Sequence, residues 1–287
     1  MRKQILVETA LLGAGTPGIA PGELRDLWSA GTGDASGALL VWRSDGTDRR
    51  GGMEEFLAFR NTGTWSRIRA GSSRRPENGY YTAGALLEMG RATELVVTAG
   101  IGGMIGENIS GDLPAICRAE SSLVCAGFKD MVDAEGSLNY LRERGIPVRG
   151  LWQNTYNGFL FRRPTVRLDG ELRPAGEGTI GEQTMPRVLF VPVPVSERLE
   201  AAHWLDLGFQ EAKAAAAAGK DFHPEFNRSL ERMSQGKSSI LQIMSLIRNI
   251  EVADSMVRDR EEGRDERCEG RNDPDSTGGS NQKREGL

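Results

Sequence analysis

The sequence predicts an α/β domain in three layers, α/β/α, around a mixed and mostly buried sheet. Three observations predict it: short Val-rich apolar runs, helical stretches alternating with them, and Gly or Pro at their borders. Residues 5–7, 38–42, 95–98, 122–126, 148–151 and 188–191 have the length and apolar content of buried strands. Between them, 80–89, 130–144 and 197–218 carry helical patterns. In chain order, the Gly-, Ala- and Pro-rich stretch 13–37 holds one short helix over 23–28, and 61–79 is irregular with Arg67, Arg69, Arg74 and Arg75. Two readings of that basic stretch stand open, a solvated loop and a cover over an anionic ligand. The helix over 130–144 stops at Gly145 with Pro147 beyond, and Ala214 to Ala218 stop at Gly219. From Ser238 to Val257 apolar residues cover more than half a helical circumference, which places that helix inside the domain or at a subunit contact. Residues 258–287 are dominated by Asp, Glu, Arg, Gly and Ser. The expected organisation is one domain, 1–257, followed by a disordered polar tail, 258–287.

Composition narrows the function. Among 287 residues, 36 Lys and Arg face 40 Asp and Glu for a net charge of −4, too balanced for a protein whose affinity rests on neutralising phosphates of nucleic acid. No stretch approaches the roughly 20 apolar residues that cross a bilayer. The apolar part of Met1 to Glu8 is too short for a signal peptide. No nucleic-acid or membrane partner and a cytoplasmic location are therefore expected. Cys117, Cys125 and Cys268 cannot all pair and read as reduced thiols. With only His203 and His223, zinc sites and Ser-His-Asp triads are disfavoured. Lysine is scarce: between Lys3 and Lys237 there are only Lys129, Lys213 and Lys220.

Three segments carry candidate chemistry. In Ser121 to Asp130 an apolar strand runs through Ala126-Gly127 into Lys129, which the helical reading puts in a first helical turn at a strand's carboxyl end. Burial and a helix dipole there would both disfavour its charged form, and a neutral amine can attack a carbonyl and form a Schiff base. A salt-bridged or snorkelling lysine is the plainer alternative. The glycine-rich Val97 to Gly106 follows a strand and suits close backbone approach to an anion, although it is neither a P-loop nor a dinucleotide fingerprint. Asn108-Ile109-Ser110-Gly111-Asp112 comes next, with Asp112 expected as an N-cap. Glu8 ends the first strand, where partial burial would let it give and take protons; a surface charge is the ordinary reading.

Together these segments resemble the pseudouridine-5′-phosphate glycosidase family. The resemblance rests on Leu6-Val7-Glu8-Thr9, Asn78-Gly79 with Thr82, Ala99-Gly100-Ile101-Gly102-Gly103, Ile109-Ser110-Gly111-Asp112-Leu113 and Val124-Cys125-Ala126-Gly127-Phe128-Lys129. Gly145-Ile146-Pro147-Val148, Val191-Pro192-Val193-Pro194, Gly219 through Pro224 and Arg248-Asn249 follow in family order, so that it spans roughly residues 4–257. It implies that family's α/β/α domain, a homotrimer, and C-nucleoside chemistry on ribose 5-phosphate. By the same resemblance Lys129 forms an imine with C1 of the opened sugar, Glu8 moves protons, and Thr82, Ala83, Ser110, Gly111 and Asp112 hold the substrate.

The departures are specific. The family's second lysine falls where this chain has none: Trp65 stands near it, with Arg67 and Arg69 beside it as substrate-binding candidates whose guanidinium groups stay protonated and form no imine. Asn108 stands at the family's metal-binding aspartate and the loop before it lacks a histidine, so a divalent cation such as Mn2+ is expected only by resemblance and on a weakened ligand set; no organic cofactor is expected. Gln242 replaces a substrate-contacting asparagine. These changes gather on the nucleobase and metal side. They imply a C-glycosynthase joining ribose 5-phosphate to a carbon nucleophile to give a C-nucleoside 5′-phosphate, with cleavage of pseudouridine 5′-phosphate and a non-catalytic sugar-phosphate binder as alternatives.

Overall fold

The computed structural model describes residues 4–16, 18–32, 37–60, 65–173, 185–220 and 222–269, with side chains to Arg258. In chain order the strands are β1 (Gln4–Val7), β2 (Ala38–Ser44), β3 (Thr47–Gly51), β4 (Ser66–Ile68), β5 (Gly79–Tyr81), β6 (Glu94–Val97), β7 (Met104–Ile105), β8 (Asn108–Ile109), β9 (Ser122–Cys125), β10 (Val148–Leu151), β11 (Thr155–Tyr156), β12 (Val166–Arg167), β13 (Gly170–Leu172) and β14 (Val188–Phe190). The helices are α1 (Pro21–Thr32), α2 (Met53–Arg60), α3 (Ala83–Met89), α4 (Asp112–Arg118), α5 (Ala134–Arg142), α6 (His203–Ala217), α7 (Phe222–Met233) and α8 (Lys237–Glu269). A π-helical turn covers Leu11–Gly15 and a 3₁₀ turn Val195–Glu197.

Ten strands form one sheet in the order β13-β10-β14-β9-β6-β1-β2-β5-β4, with β3 paired to β2. Pairing is parallel except where β2 meets β3 and β5, so the expected mixed sheet is present. Alternation along the central strands sorts side chains between two cores. Ile5, Val7, Leu95, Val97 and Val124 face α8, whose Ile243, Leu246, Ile250 and Ala253 are fully buried. Leu6, Val96, Leu123 and Cys125 face the other layer, with Leu86, Leu113, Ile116, Leu138 and Leu141 from α3, α4 and α5. Most of the apolar surface of α8 is thus used inside the domain, with Met244 left exposed. Among the described residues no helix is long and apolar enough to cross a membrane.

Several boundaries differ from the sequence expectation. Tyr80 and Tyr81 belong to β5, and α3 begins only after Thr82, whose hydroxyl caps it. Aromatic residues favour a strand here, and Thr stops it by capping the next element. Residues 130–133 are not helical; α5 starts at Ala134, capped by Asp133 through Gly136 N–H at 3.0 Å. Residues 198–202 also lie outside α6. The sharpest difference is at the C-terminus, where α8 runs to Glu269 across 258–269 of the expected tail. Arg and Glu are good helix formers, and an Asp254–Arg258 ion pair spans one turn at the junction. Residues 270–287 lie outside the described residues.

Candidate active site

Three neighbouring parallel strands build the floor of the site. Val7 aligns with Val97, and Val97 with Val124, so the chains leaving β1, β6 and β9 emerge side by side. Glu8 N–H donates to Val97 O at 3.0 Å and Thr98 N–H to Val124 O at 3.1 Å, extending the ladder one residue beyond the sheet. The strand after β9 stays zipped to the strand after β6: Ala126 N–H to Ala99 O (2.7 Å), Ile101 N–H to Gly127 O (2.9 Å) and Lys129 N–H to Ile101 O (2.8 Å). Gly127 is required in this path, since its φ is +129° and a Cβ there would lie 2.2 Å from the Tyr156 ring. Lys129 is therefore fixed by strand-like pairing. The helix-dipole contribution expected for it is absent, because α5 begins five residues later at Ala134.

Glu8 is only 7% exposed and its Oε2 accepts the Thr98 hydroxyl. Burial pushes the Glu8 carboxyl above its ordinary range, with the Lys129 ammonium and the Thr98 hydroxyl pulling the other way. Burial likewise pushes the Lys129 amine below its ordinary range, opposed by Glu8 and reinforced by the Arg67 guanidinium. Both groups, which line the same cavity, are thereby biased towards their neutral forms. Directly after Lys129, the buried Asp130 carboxylate accepts Phe159, Leu160 and Phe161 N–H at 2.9, 2.7 and 3.2 Å, and burial raises it to about 6. It anchors the Lys129 segment to the 159–161 loop.

A cavity of about 280 Å³ opens above this floor and is lined by Glu8, Arg67, Arg69, Thr82, Ala83, Ser110, Gly111, Asp112 and Lys129. The structure thus brings together nine of the residues selected from sequence. Asp112 is not the cap of α4, a position held by Gly111. Its Oδ1 accepts Gly84 N–H at 3.1 Å and its Oδ2 accepts Gly102 N–H at 2.8 Å, so it ties α3 to the glycine-rich turn. Gly102 must be glycine, as a Cβ would lie 2.2 Å from Ser110 Oγ. The arginines of the irregular stretch divide: Arg67 and Arg69 line the cavity, whereas Arg75 pairs with Asp48 at 3.2 Å.

A narrower lobe shares Glu8, Lys129 and Arg67 and adds Thr98, Asn227 and Gln242 against Leu11 and Ala14 of the π-helical turn. Gln242 is 2% exposed, and its Nε2 has no hydrogen-bond partner. Sequence reasoning missed Thr98, Phe222, His223 and Asn227 among the lining residues. Thr98 lay inside the glycine-rich segment, and Phe222 and His223 inside the 219–224 segment, but no local pattern distinguished them.

Asn108 is the residue the structure does not bring to the cavity. It sits exposed in the β7–β8 hairpin, its backbone paired with Ile105. Among the described residues no three His, Cys, Asp or Glu side chains cluster as a metal site would require. Of the two carboxylates in the cavity wall, Asp112 already accepts two N–H groups and Glu8 accepts the Thr98 hydroxyl. This donor set does not fit a divalent cation.

Comparison with known proteins follows the same lines. Residues 77–258 match the family described as indigoidine synthase A like protein. The pseudouridine-5′-phosphate glycosidase of Geobacillus kaustophilus (strain HTA426) is 28% identical over 177 residues, which cover 56% of this chain and 59% of that protein. That of Sorangium cellulosum (strain So ce56) is 29% identical over 175 residues, covering 56% and 55%. The chain spans less than two thirds of the length of these curated relatives. Among solved structures, an indigoidine synthase A-like protein of Thermotoga maritima MSB8 superposes with a TM-score of 0.67 at 20% identity, covering 89% of this chain and 92% of that one. The prealnumycin C-glycosynthase AlnA, in complex with ribulose 5-phosphate, superposes with a TM-score of 0.65 at 19% identity, covering 91% and 94%. Both share the fold.

Proposed function

Because the chain belongs to the indigoidine synthase A-like family, we propose that it is an enzyme acting at C1 of ribose 5-phosphate through an imine on Lys129. The single observation that carries this reading is the buried pair of Lys129 and Glu8 in one cavity, each biased towards its neutral form. The Lys129 amine attacks the aldehyde carbon of the opened sugar. The Glu8 carboxylic acid protonates the resulting carbinolamine hydroxyl, which leaves as water as the nitrogen lone pair forms the C=N bond. A carbon nucleophile then attacks C1, its electron pair making the C–C bond while the C=N pair returns to nitrogen, and its displaced proton passes to the Glu8 carboxylate. Finally the C4 hydroxyl oxygen bonds to C1 and the amine departs with that hydroxyl's proton, closing the ring.

Run forwards, these steps give a C-nucleoside 5′-phosphate, the direction we favour. Run backwards they cleave pseudouridine 5′-phosphate, the reaction named for the curated relatives. Gln242 lines the narrow lobe and its Nε2 has no partner, which suits an oxygen next to the reacting carbon of the second substrate in either direction. Arg67 and Arg69 supply the charge that a phosphate requires.

The test is reductive trapping. Incubation with ribose 5-phosphate and borohydride should add one sugar phosphate to the intact protein mass, and Lys129→Ala should remove the addition. A protein that binds ribose 5-phosphate without any addition would be a non-catalytic binder and would contradict the reading.

A further inference from the structure

We propose that Thr98, itself held by Asn249, is a positioning residue that occupies one oxygen of the Glu8 carboxyl group and leaves Oε1 as the atom that exchanges protons with the Lys129 adduct. The inference rests on the roles given above to Glu8 and Lys129.

Every polar atom of Thr98 is engaged. Its N–H donates to Val124 O at 3.1 Å, its carbonyl accepts Asn249 Nδ2 at 2.7 Å, and its hydroxyl donates to Glu8 Oε2. The residue is fully buried, so its hydroxyl meets no competing solvent. Asn249 is 1% exposed in the middle of α8, and its Oδ1 has no partner. A buried, half-satisfied amide inside a helix is unfavourable both for propensity and for desolvation. Its one hydrogen bond runs from α8 to the end of β6, and that bond gives a reason for the residue to be there. The Asn249–Thr98–Glu8 chain therefore connects a long rigid helix to a reactive carboxyl group.

The chemical consequence concerns which oxygen holds the proton. An oxygen that accepts the Thr98 hydroxyl is occupied as an acceptor, so the acidic proton of Glu8 resides on Oε1. That proton passes to the carbinolamine hydroxyl, the C–O bond breaks and water leaves. Glutamate has three rotatable side-chain bonds, and fixing one oxygen removes the search for the productive rotamer.

The rate at which borohydride-trappable adduct forms from ribose 5-phosphate reads this step without requiring the carbon nucleophile to be known. Thr98→Val should slow adduct formation roughly 10- to 100-fold at neutral pH. It should also move the alkaline limb of the pH–rate profile, on which Glu8 loses its proton, to higher pH, because the Glu8 anion loses a donor that favours it. Thr98→Ser should restore both rate and limb. Asn249→Ala, which removes a side chain outside the cavity lining, should shift both in the same direction by a smaller amount. An unchanged rate and limb in Thr98→Val, or a Thr98→Ser protein as slow as Thr98→Val, would overturn the inference. Absence of any adduct in the wild-type protein would instead remove the enzyme reading itself. Near-ultraviolet circular dichroism of each variant separates slowed chemistry from lost packing.

Discussion

Glu8 and Lys129 line one cavity from parallel strands separated by a single strand, and burial drives both away from their charged forms. A downward shift makes the amine a readier nucleophile, and an upward shift makes the carboxyl a readier proton donor. Neither property belongs to the residue type in water.

The same burial sets a stability signature. The unfolded chain ionises Glu8 at its ordinary pKa, whereas the folded chain holds the proton to higher pH. Below the ordinary value the two states bind protons alike, and as pH rises through it the folded state loses stability. Glu8→Gln should therefore melt at a higher temperature than wild type near pH 7, and the difference should shrink near pH 4. Turnover should fall roughly 10²- to 10⁴-fold. Thermal scans at the two pH values with the trapping assay check both arms.

Asp112 accepts Gly84 and Gly102 N–H, and its loss leaves two partly buried donors unpaired. Asp112→Ala should destabilise the fold by about 1–3 kcal/mol and raise the KM for ribose 5-phosphate, because the cradle of α3, the glycine turn and Ser110 loses its tie. Urea unfolding and initial rates measure the two effects separately.

Arg69 lines the cavity and not the narrow lobe. Arg69→Gln should raise the KM for ribose 5-phosphate by about tenfold, the loss of one charge-assisted contact, with kcat little changed. Added salt should weaken binding to the wild type more than to the variant.

Gln242 lines the narrow lobe, and its Nε2 has no hydrogen-bond partner. Gln242→Leu should leave ribose 5-phosphate labelling intact and weaken use of the carbon nucleophile by roughly tenfold or more, since one hydrogen bond in a buried site is lost. A variant that loses sugar labelling instead would put Gln242 on the sugar side.

The residues present do not suit a divalent cation, so prolonged treatment with EDTA should not change the rate of adduct formation. A restored rate on adding Mn2+ after such treatment would show that a donor set had been missed.

Much of the fold was legible because the central strands are buried on both faces, which turns Ile5–Val7, Leu95–Val97 and Ser122–Cys125 into apolar runs that no solvated element carries. The carboxyl-end position of Lys129 followed from that pattern. Its helical setting did not: Met131 and Val132 mimic helical spacing, while the true cap, Asp133 with Gly136 N–H, sits three residues later than the apparent start. Asp112 shows the converse limit, a residue with a capping signature whose carboxylate is taken by backbone groups distant in sequence. Thr98 and Asn249 were beyond reach because their contact spans 151 positions and depends on how α8 crosses the sheet. The extension of α8 past Val257 was hidden by composition, since a charged segment continues a helix already anchored by its apolar first half.

The most direct measurement is carbon-13 NMR of the protein mixed with ribose 5-phosphate labelled at C1. The account predicts a protonated-imine resonance for C1 in the wild-type spectrum that is absent from Lys129→Ala. A spectrum holding only the free-sugar signals, or an imine signal that persists in Lys129→Ala, would contradict it.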